Sequence, residues 1–331
     1  MRDIGGYLEL ELPSGSKEFL HSEGMLVNSG RHALELILRS LSPKPQKVLL
    51  PFFTCEVVLQ PIQKLNIPYE FYHIDERLEL VDIPKLCENE YIIVNNYFGI
   101  KDLYIEYLSS VYKNKIIIDQ AQAWYASEYG GVKAFYSPRK FFGIPDGGVA
   151  FGIDSFTSLE RDQSWDRCTH LLKRHDLSAS EGYNNFRENS RIISESPLKS
   201  MSCLTYNLLS GIDMNKIKEK RRDNFHILNE ALESFNEFII PTASSFECPM
   251  VYPFFTFNKG LRQFLINNKI FVATYWTNVK KWCKQNSVEN SLTDFLLPLP
   301  IDQRYGKSEM ELIINYIYNY MNSNGLKIRR G

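Results

Sequence analysis

Two residues, Asp119 and Lys140, have the types and positions that could carry chemistry in this chain. The run Lys115-Ile116-Ile117-Ile118 is typical of a short strand buried on both faces, and it ends on Asp119. A second apolar run at 134–136 leads into Ser137-Pro138-Arg139-Lys140, before Asp146-Gly147-Gly148 turns the chain into 149–151. Since strands of open α/β sheets present their carboxyl ends to the ligand crevice, we expect both residues at the rim of a sheet.

This pair of residues matches the needs of pyridoxal phosphate. A lysine can form a Schiff base with the cofactor, and a carboxylate can keep its pyridine nitrogen protonated. Each residue also has an ordinary interpretation, because a lysine in a loop is usually a solvated surface charge and an aspartate after a strand is usually a turn former. The two residues alone leave both interpretations open.

The segments that would position these residues alternate between strand and helix patterns. Strands are predicted over 7–12, 48–53, 68–74 and 91–94, and helices over 33–41, 55–65 and 103–111. Asn28 or Ser29 could cap the first helix, and Gly30 would let a ligand approach its free N–H groups, although an ordinary capped helix fits as well. The alternation predicts an α/β fold with a mostly parallel, doubly wound sheet.

The pattern changes after about residue 153. Residues 155–235 are predicted to be mostly helical, with a polar loop at 178–185 and the longest helix at 214–235. Strands are then predicted over 239–240, 251–257 and 270–275, and helices over 260–268 and 307–321. We therefore expect a large cofactor-binding α/β domain with a bridging helix at 1–235 and a small C-terminal α+β domain at 236–331.

Composition excludes several classes of function. The chain has 331 residues, 44% of them hydrophobic, and its net charge of −1 gives no overall field that would attract nucleic acid or a membrane surface. No stretch has the ~18 consecutive apolar residues of a spanning helix, and the amino terminus lacks the features of a secretory signal. The six cysteines are scattered without metal-binding spacing, so we expect reduced thiols, no metal and a cytoplasmic protein.

Six segments, in order along nearly the whole chain, resemble the DegT/DnrJ/StrS family of sugar aminotransferases, which are fold-type I pyridoxal phosphate enzymes. NSGRHAL resembles the family's phosphate turn, VLLPFFTCEVV its following strand and helix, and VNNYFG a strand end. IIIDQAQAW resembles its aspartate segment, YSPRKFFGIPDGG its lysine loop with a glycine pair, and EGYNNFR its GYNYR loop. The resemblance implies a fold-type I aminotransferase, with a mostly parallel sheet in the large domain and a smaller α+β domain.

The resemblance implies specific roles around the cofactor ring. Lys140 would be the Schiff-base lysine and general base, Asp119 would hold the pyridine nitrogen, and Gln122 would pack beside the ring. Cys55, also a cofactor contact by position, stands where many members have an aromatic residue that stacks on the ring. Phe53, two residues earlier, could supply the stacking ring here. Because Lys140 is retained, the chain does not resemble the family branch that replaces this lysine with histidine.

Roles in phosphate binding and assembly are implied in the same way. Gly30 and Arg31, which replaces the usual threonine, would offer backbone N–H groups to the cofactor phosphate. The serine usually found five residues before the lysine is Phe135 here, so the hydroxyl would come from Ser137 or another group. Asn184 matches the loop position that reaches into the neighbouring subunit's site, which implies a homodimer with shared active sites.

The function implied is transfer of an amino group from an amino acid, glutamate by family habit, to a keto group. The acceptor would be a nucleotide-linked keto-sugar in surface polysaccharide or secondary metabolite biosynthesis. Two alternatives stay open, which are a non-catalytic cofactor-binding or regulatory protein of the same fold and an aminotransferase for a small non-sugar ketone. The altered residues Arg31, Cys55 and Phe135 favour the regulatory alternative, and retention of Asp119 and Lys140 opposes it.

Overall fold

A seven-stranded sheet forms the centre of the larger part of the chain. The structure is a computed structural model that describes residues 7–12, 18–128, 130–153 and 158–324. The strands lie in the order β1-β7-β6-β5-β4-β2-β3, with four parallel neighbours and antiparallel pairing only of β7 with β6 and β1 among these described strands. Their bounds are β1 Met25–Val27, β2 Lys47–Pro51, β3 Tyr69–Tyr72, β4 Glu90–Asn95, β5 Ile116–Gln120, β6 Lys133–Tyr136 and β7 Gly148–Phe151. The predicted α/β class and mostly parallel sheet are confirmed.

Helices cover both faces of this sheet and continue toward the carboxyl terminus. The longest is α7, whose 19 residues fall where the longest helix was predicted. The helices are α1 Gly30–Ser40, α2 Leu59–Lys64, α3 Asp102–Tyr112, α4 Thr169–Asp176, α5 Ala179–Glu195, α6 Cys203–Ser210, α7 Met214–Leu232, α8 Leu261–Asn267, α9 Val279–Trp282, α10 Val288–Phe295 and α11 Lys307–Ser323. The predicted cap of α1 is confirmed, because the Ser29 hydroxyl accepts a hydrogen bond from the His32 N–H.

The central strands are buried on both sides, as the unbroken apolar runs predicted. In β5, Ile116 and Ile118 pack into one hydrophobic core, whereas Ile117 packs into a second core on the opposite face. The second core is filled mainly by α1 and α2, and the first by α3, α7 and the C-terminal part. Since successive side chains of a strand point to opposite faces, only a strand covered on both faces needs apolar residues at every position.

The C-terminal part contains a two-stranded antiparallel sheet of β8, Val251–Phe255, and β9, Leu296–Pro300. Its apolar side chains belong to the same core cluster as those of β4 and β5. The two parts therefore pack through continuous hydrophobic contact. The domain boundary at residue 235 stays a prediction.

Four of the predicted elements are wrong. Residues 7–12 form no strand and expose Tyr7 and Leu8, and the predicted closing turn at 13–15 lies outside the described residues. Residues 239–240 and 270–275 are not strands, and β1 and β9 were missed. A strand forms only where a neighbouring strand pairs with it in register, and the local sequence pattern does not report whether such a neighbour exists.

The fourth error is the polar loop at 178–185, which is the first part of α5. Ser178 caps this helix, since its hydroxyl accepts a hydrogen bond from the Glu181 N–H. Gly182 lies against the backbone of α4, and a Cβ there would be 2.9 Å from the His170 carbonyl oxygen. Polar residues suit this helix because only one side of it packs on α4.

Candidate active site

The site forms where the parallel strands β4, β5 and β6 end. Asn95 at the end of β4 pairs in register with Asp119 in β5, and Asp119 pairs with Phe135 in β6. A single 3₁₀ turn, Pro138–Lys140, follows β6 directly. Parallel pairing therefore brings the carboxyl ends of the strands, and the residues that follow them, to one edge of the sheet.

A cavity at this edge brings Asp119 and Lys140 together. Its wall also contains Gln122 and Cys55, which the sequence analysis selected as cofactor contacts. The remaining residues of the wall are Thr54, Asn95, Asn96, Ala121 and Trp276. Asp119 is buried, whereas Lys140 is exposed on the cavity's open side.

The electrostatics of Asp119 depend on its burial. Burial raises the pKa of this carboxyl from 3.8 to about 6, while the charge of Lys140 and a hydrogen bond from the Ala121 N–H to Oδ1, 2.8 Å long, act in the opposite direction. Asp119 is therefore mostly ionised at pH 7 in a poorly solvated place. A protonated ring nitrogen would be a favourable partner for it.

Two amide side chains of the cavity wall have a buried polar atom with no hydrogen-bond partner among the described residues. Asn95 donates from Nδ2 to Thr54 Oγ1 at 3.0 Å, which leaves its Oδ1 free. Gln122 accepts from the Phe98 N–H through Oε1 at 3.1 Å, which leaves its Nε2 free. An unpaired buried acceptor and donor are costly, so both atoms fit the wall of a site that a polar ligand completes.

The amino terminus of α1 lies beside this cavity. A Cβ on Gly30 would be 3.1 Å from Ser137 Cβ and 3.4 Å from Ser137 Oγ, so the first turn of α1 and the loop after β6 are close neighbours. The first N–H groups of a helix have no partner within the helix and attract anions. Gly30 and Ser137 thus lie next to each other, and their contacts to a phosphate stay a prediction.

Positive charge is concentrated near the same helix terminus. Arg31 has a buried Nη1 without a hydrogen-bond partner among the described residues, and burial lowers the pKa of its guanidinium, while nearby Cys55 acts in the opposite direction. Burial also lowers the pKa of Arg139 to about 10, partly offset by Asp146, and Arg31 contributes further to the decrease. Two partly desolvated guanidinium groups at a helix amino terminus form an environment that favours a phosphate.

The glycine pair after the lysine loop serves close packing. A Cβ on Gly148 would lie 2.2 Å from the Ser29 carbonyl, and Gly147 has a φ of +120°. Buried Asp146 fixes this turn, because its carboxylate accepts hydrogen bonds from the Ser202 N–H at 3.0 Å and from the hydroxyls of Ser202 and Thr205. No side chain fits where Gly148 passes the start of α1.

An aromatic residue of the cavity wall comes from the C-terminal part of the chain. Phe53 is fully buried behind the wall, where its ring packs edge-on against Trp276 at 5.1 Å between centroids. Trp276 itself lines the cavity. Asn278 anchors this C-terminal segment by donating from Nδ2 to the Thr54 carbonyl at 2.9 Å. Trp276 is thus an aromatic residue of the cavity wall, and stacking of Phe53 on a ligand stays a prediction.

Asn184 does not lie at this cavity within the chain. It is an exposed residue of α5, on a helix that also exposes Tyr183 and Phe186. The loop expected at this position is wrong, as described above. A contact of Asn184 with a neighbouring subunit's site stays a prediction.

Sequence reasoning missed several wall residues. Asn95 and Asn96 follow a predicted strand, so the rule that selected Asp119 could also have selected them. Thr54 lies inside a motif that was already recognised. Trp276 had no sequence signal, because its place depends on how the C-terminal part packs on the sheet.

Comparison with known proteins supports the fold. No family model and no curated protein matches the sequence. A DegT/DnrJ/EryC1/StrS aminotransferase from Brucella abortus has a similar structure, with a TM-score of 0.61 and 16% identity over 89% of this chain and 85% of that chain. The putative sugar aminotransferase Spr1654 from Streptococcus pneumoniae, in its PLP form, has a TM-score of 0.62 and 13% identity over 94% of this chain and 93% of that chain. NtdA from Bacillus subtilis with bound cofactor PMP has a TM-score of 0.62 and 11% identity over 90% of this chain and 73% of that chain.

The chain has the fold of the DegT/DnrJ/EryC1/StrS sugar aminotransferases. This fold-type I sheet and the order of its strands place Asp119 and Lys140 around one cavity. None of the helices within the described ranges is long and apolar enough to cross a membrane.

Proposed function

We propose that this protein is a pyridoxal phosphate-dependent aminotransferase. The observation that carries the proposal is the cavity in which buried Asp119 and exposed Lys140 meet. A strand-end acid and a lysine after the next strand are the two groups that this cofactor requires. The similar structures of NtdA with bound PMP and of Spr1654 in its PLP form have this fold and a cofactor of this class.

The residues present fit such a cofactor. Asp119 would hold the pyridine nitrogen, and the free Asn95 Oδ1 and Gln122 Nε2 would lie where polar substituents of the ring need partners. Arg31 belongs to the first turn of α1, and its buried Nη1 has no hydrogen-bond partner among the described residues. The guanidinium and the backbone N–H groups of this turn would hold the phosphate. Ser137, close to Gly30, would offer the hydroxyl that Phe135 cannot.

The chain's own groups divide the chemistry between them. When bound, pyridoxal phosphate supplies the electron sink that stabilises negative charge at the carbon of the amino-acid substrate that loses a proton. Lys140 Nζ, exposed on the open side of the cavity, is the base that takes this proton and returns it to the product. Ionised Asp119 would keep a proton on the ring nitrogen, and Trp276 would lie beside the ring in the cavity wall.

Replacement of Lys140 tests this proposal directly. Wild-type protein mixed with pyridoxal phosphate should give a protein-bound absorbance band and, after borohydride reduction, one labelled lysine. Lys140→Ala should lose the label while its circular dichroism spectrum is unchanged, because the side chain is exposed. Lys281→Ala is the matched control. A label retained in Lys140→Ala would assign the lysine elsewhere and refute the site.

The acceptor that we propose is a nucleotide-linked keto-sugar, and the donor is glutamate. Support comes from the similar structures of sugar aminotransferases, among them the putative sugar aminotransferase Spr1654. The six free cysteines fit a reducing cytoplasm, where precursors of surface polysaccharides and secondary metabolites are made.

A half-reaction with glutamate separates an enzyme from a cofactor-binding regulatory protein. Glutamate should convert the bound cofactor to its amine form, with a matching loss of the protein-bound absorbance band. Keto-sugar nucleotides and small ketones are then compared as acceptors for the amine form. Conversion with small ketones alone would favour the non-sugar alternative.

We further propose a homodimer in which α5 contributes to the partner's site. The support is an exposed apolar surface on the α4–α5 hairpin, formed by Leu172, Leu177, Tyr183 and Phe186, next to Asn184. Mixing Lys140→Ala chains with Asn184→Ala chains should restore activity, because each heterodimer would contain one intact site. A monomer by light scattering, or no recovery after proven subunit exchange, would refute the shared site.

A further inference from the structure

A histidine and two glutamates meet outside the cavity described above. One imidazole nitrogen of His21 and one carboxylate oxygen each of Glu23 and Glu128 all lie within 4.8 Å of one another. His21 is only 3% exposed, whereas both glutamates are exposed. The cluster links the turn before β1 to the segment that follows β5.

The imidazole of His21 has a fixed orientation. Its Nε2 lies 2.7 Å from the Trp124 carbonyl oxygen, which can only accept, so Nε2 carries a hydrogen. The ring packs at 4.0 Å from the Tyr136 ring and 5.0 Å from the Trp124 ring, measured between centroids. Because Nε2 carries the hydrogen, Nδ1 is the nitrogen that can present a lone pair. This Nδ1 lies 3.6 Å from Glu128 Oε1.

Three electron-pair donors therefore converge at one point. Neither carboxylate forms an ion pair with a lysine or arginine within the described part of the chain, and Glu128 has only His21 in its ion-pair range. Carboxylates this close repel one another unless a proton or a metal cation lies between them, and the side chains of Glu23 and Glu128 are within hydrogen-bond range of each other. A histidine whose other nitrogen donates to a backbone carbonyl is the usual arrangement of a metal ligand.

We propose that His21 Nδ1, Glu23 and Glu128 bind a divalent transition-metal ion of the Zn²⁺ class. One imidazole and two carboxylates form a nitrogen and oxygen donor set that suits Zn²⁺, with water completing the shell. Bonds of about 2.0–2.2 Å place tetrahedral ligands ~3.4 Å apart, so the exposed carboxylates need to close by ~1 Å. The ion would fasten the turn before β1 to the segment after β5, independently of the aminotransferase chemistry.

Calorimetric titration with Zn²⁺ tests the site in full-length protein that was first treated with a chelator and desalted. We expect wild-type protein to bind Zn²⁺ at this site, and Glu23→Gln and Glu128→Gln each to weaken the affinity about a hundredfold, since even the loss of an outer-shell partner costs 10–100-fold. Both side chains are exposed, so neither substitution disturbs the core. Glu106→Gln, an exposed position of α3, is the matched control and should bind as wild type does.

Absorption of the Co²⁺-substituted protein identifies the ligands, because the chain also has free cysteines. Nitrogen and oxygen ligands give weak visible bands without the near-ultraviolet charge-transfer band of a thiolate ligand. A visible spectrum lost in both glutamine variants supports the proposal. Absence of binding, affinity that survives either glutamine substitution, or a thiolate band in the wild-type protein would overturn it.

Discussion

Replacement of Asp119 by asparagine should stabilise the protein that lacks cofactor. Burial raises the pKa of this carboxyl from 3.8 to about 6. Because one pKa unit corresponds to 1.36 kcal/mol, the ionised carboxylate costs the folded state about 3 kcal/mol at neutral pH. Asparagine removes the charge and can still accept the hydrogen bond from the Ala121 N–H. The gain in the free energy of unfolding should therefore approach about 3 kcal/mol.

The pH dependence of stability gives the sharper measurement. A carboxyl whose pKa is raised on folding leaves the stability intact below its ordinary pKa and reduces it as the pH rises through about 4 to 6. Buried His21 and His32, whose pKa burial lowers to about 4, also change the stability between pH 5 and pH 7.5, but they do so equally in wild type and variant. In urea unfolding of cofactor-free protein, the stability advantage of Asp119→Asn over the wild type should therefore grow by roughly 1.4 kcal/mol between about pH 5 and pH 7.5. Asp223→Asn, at an exposed position of α7, is the control and should show the wild-type pH dependence.

The same substitution should have the opposite effect on function. Because the ring nitrogen would lose its carboxylate, Asp119→Asn should bind pyridoxal phosphate but lose nearly all of the half-reaction with glutamate. An unchanged pH dependence of unfolding together with an unchanged half-reaction rate would refute both the electrostatic reasoning and the assigned role.

Three other substitutions test the remaining parts of the site. Arg31→Gln should raise the dissociation constant of pyridoxal phosphate about tenfold to a hundredfold, because a charge-assisted hydrogen bond is worth ~1.5–3 kcal/mol. Fluorescence titration measures this constant, and the control Arg191→Gln, at an exposed position, should leave it unchanged. Gly148→Ala, whose Cβ would lie 2.2 Å from the Ser29 carbonyl, should lower the free energy of unfolding by about 3 kcal/mol, whereas Gly143→Ala, with 3.7 Å to its nearest neighbour, should not. Phe186→Glu should shift the sedimentation coefficient toward that of a monomer, since it places a charge on the exposed apolar surface of α5. Each role has its own contradicting result. These results are an unchanged dissociation constant in Arg31→Gln, an unchanged free energy of unfolding in Gly148→Ala, and an unchanged sedimentation coefficient in Phe186→Glu.

The sequence by itself determined the parts of the protein that depend on local pattern. The apolar run before Asp119 predicted a strand buried on both faces, and β5 has that burial. Ser29 before an amphipathic segment predicted a capped helix, and α1 begins directly after it. The position of Lys140 after a strand predicted a place at the sheet's rim, because chain direction fixes which end of a parallel strand meets the ligand.

Tertiary structure alone decided what depends on contacts between distant segments. Trp276 reaches the cavity because its segment docks on Thr54 through Asn278, and no local pattern encodes that packing. The polar start of α5 folds as a helix because Gly182 lets it lie on α4, although its composition is typical of a loop. Side-chain periodicity reports which face of an element is buried, and only the assembled core determines what covers that face.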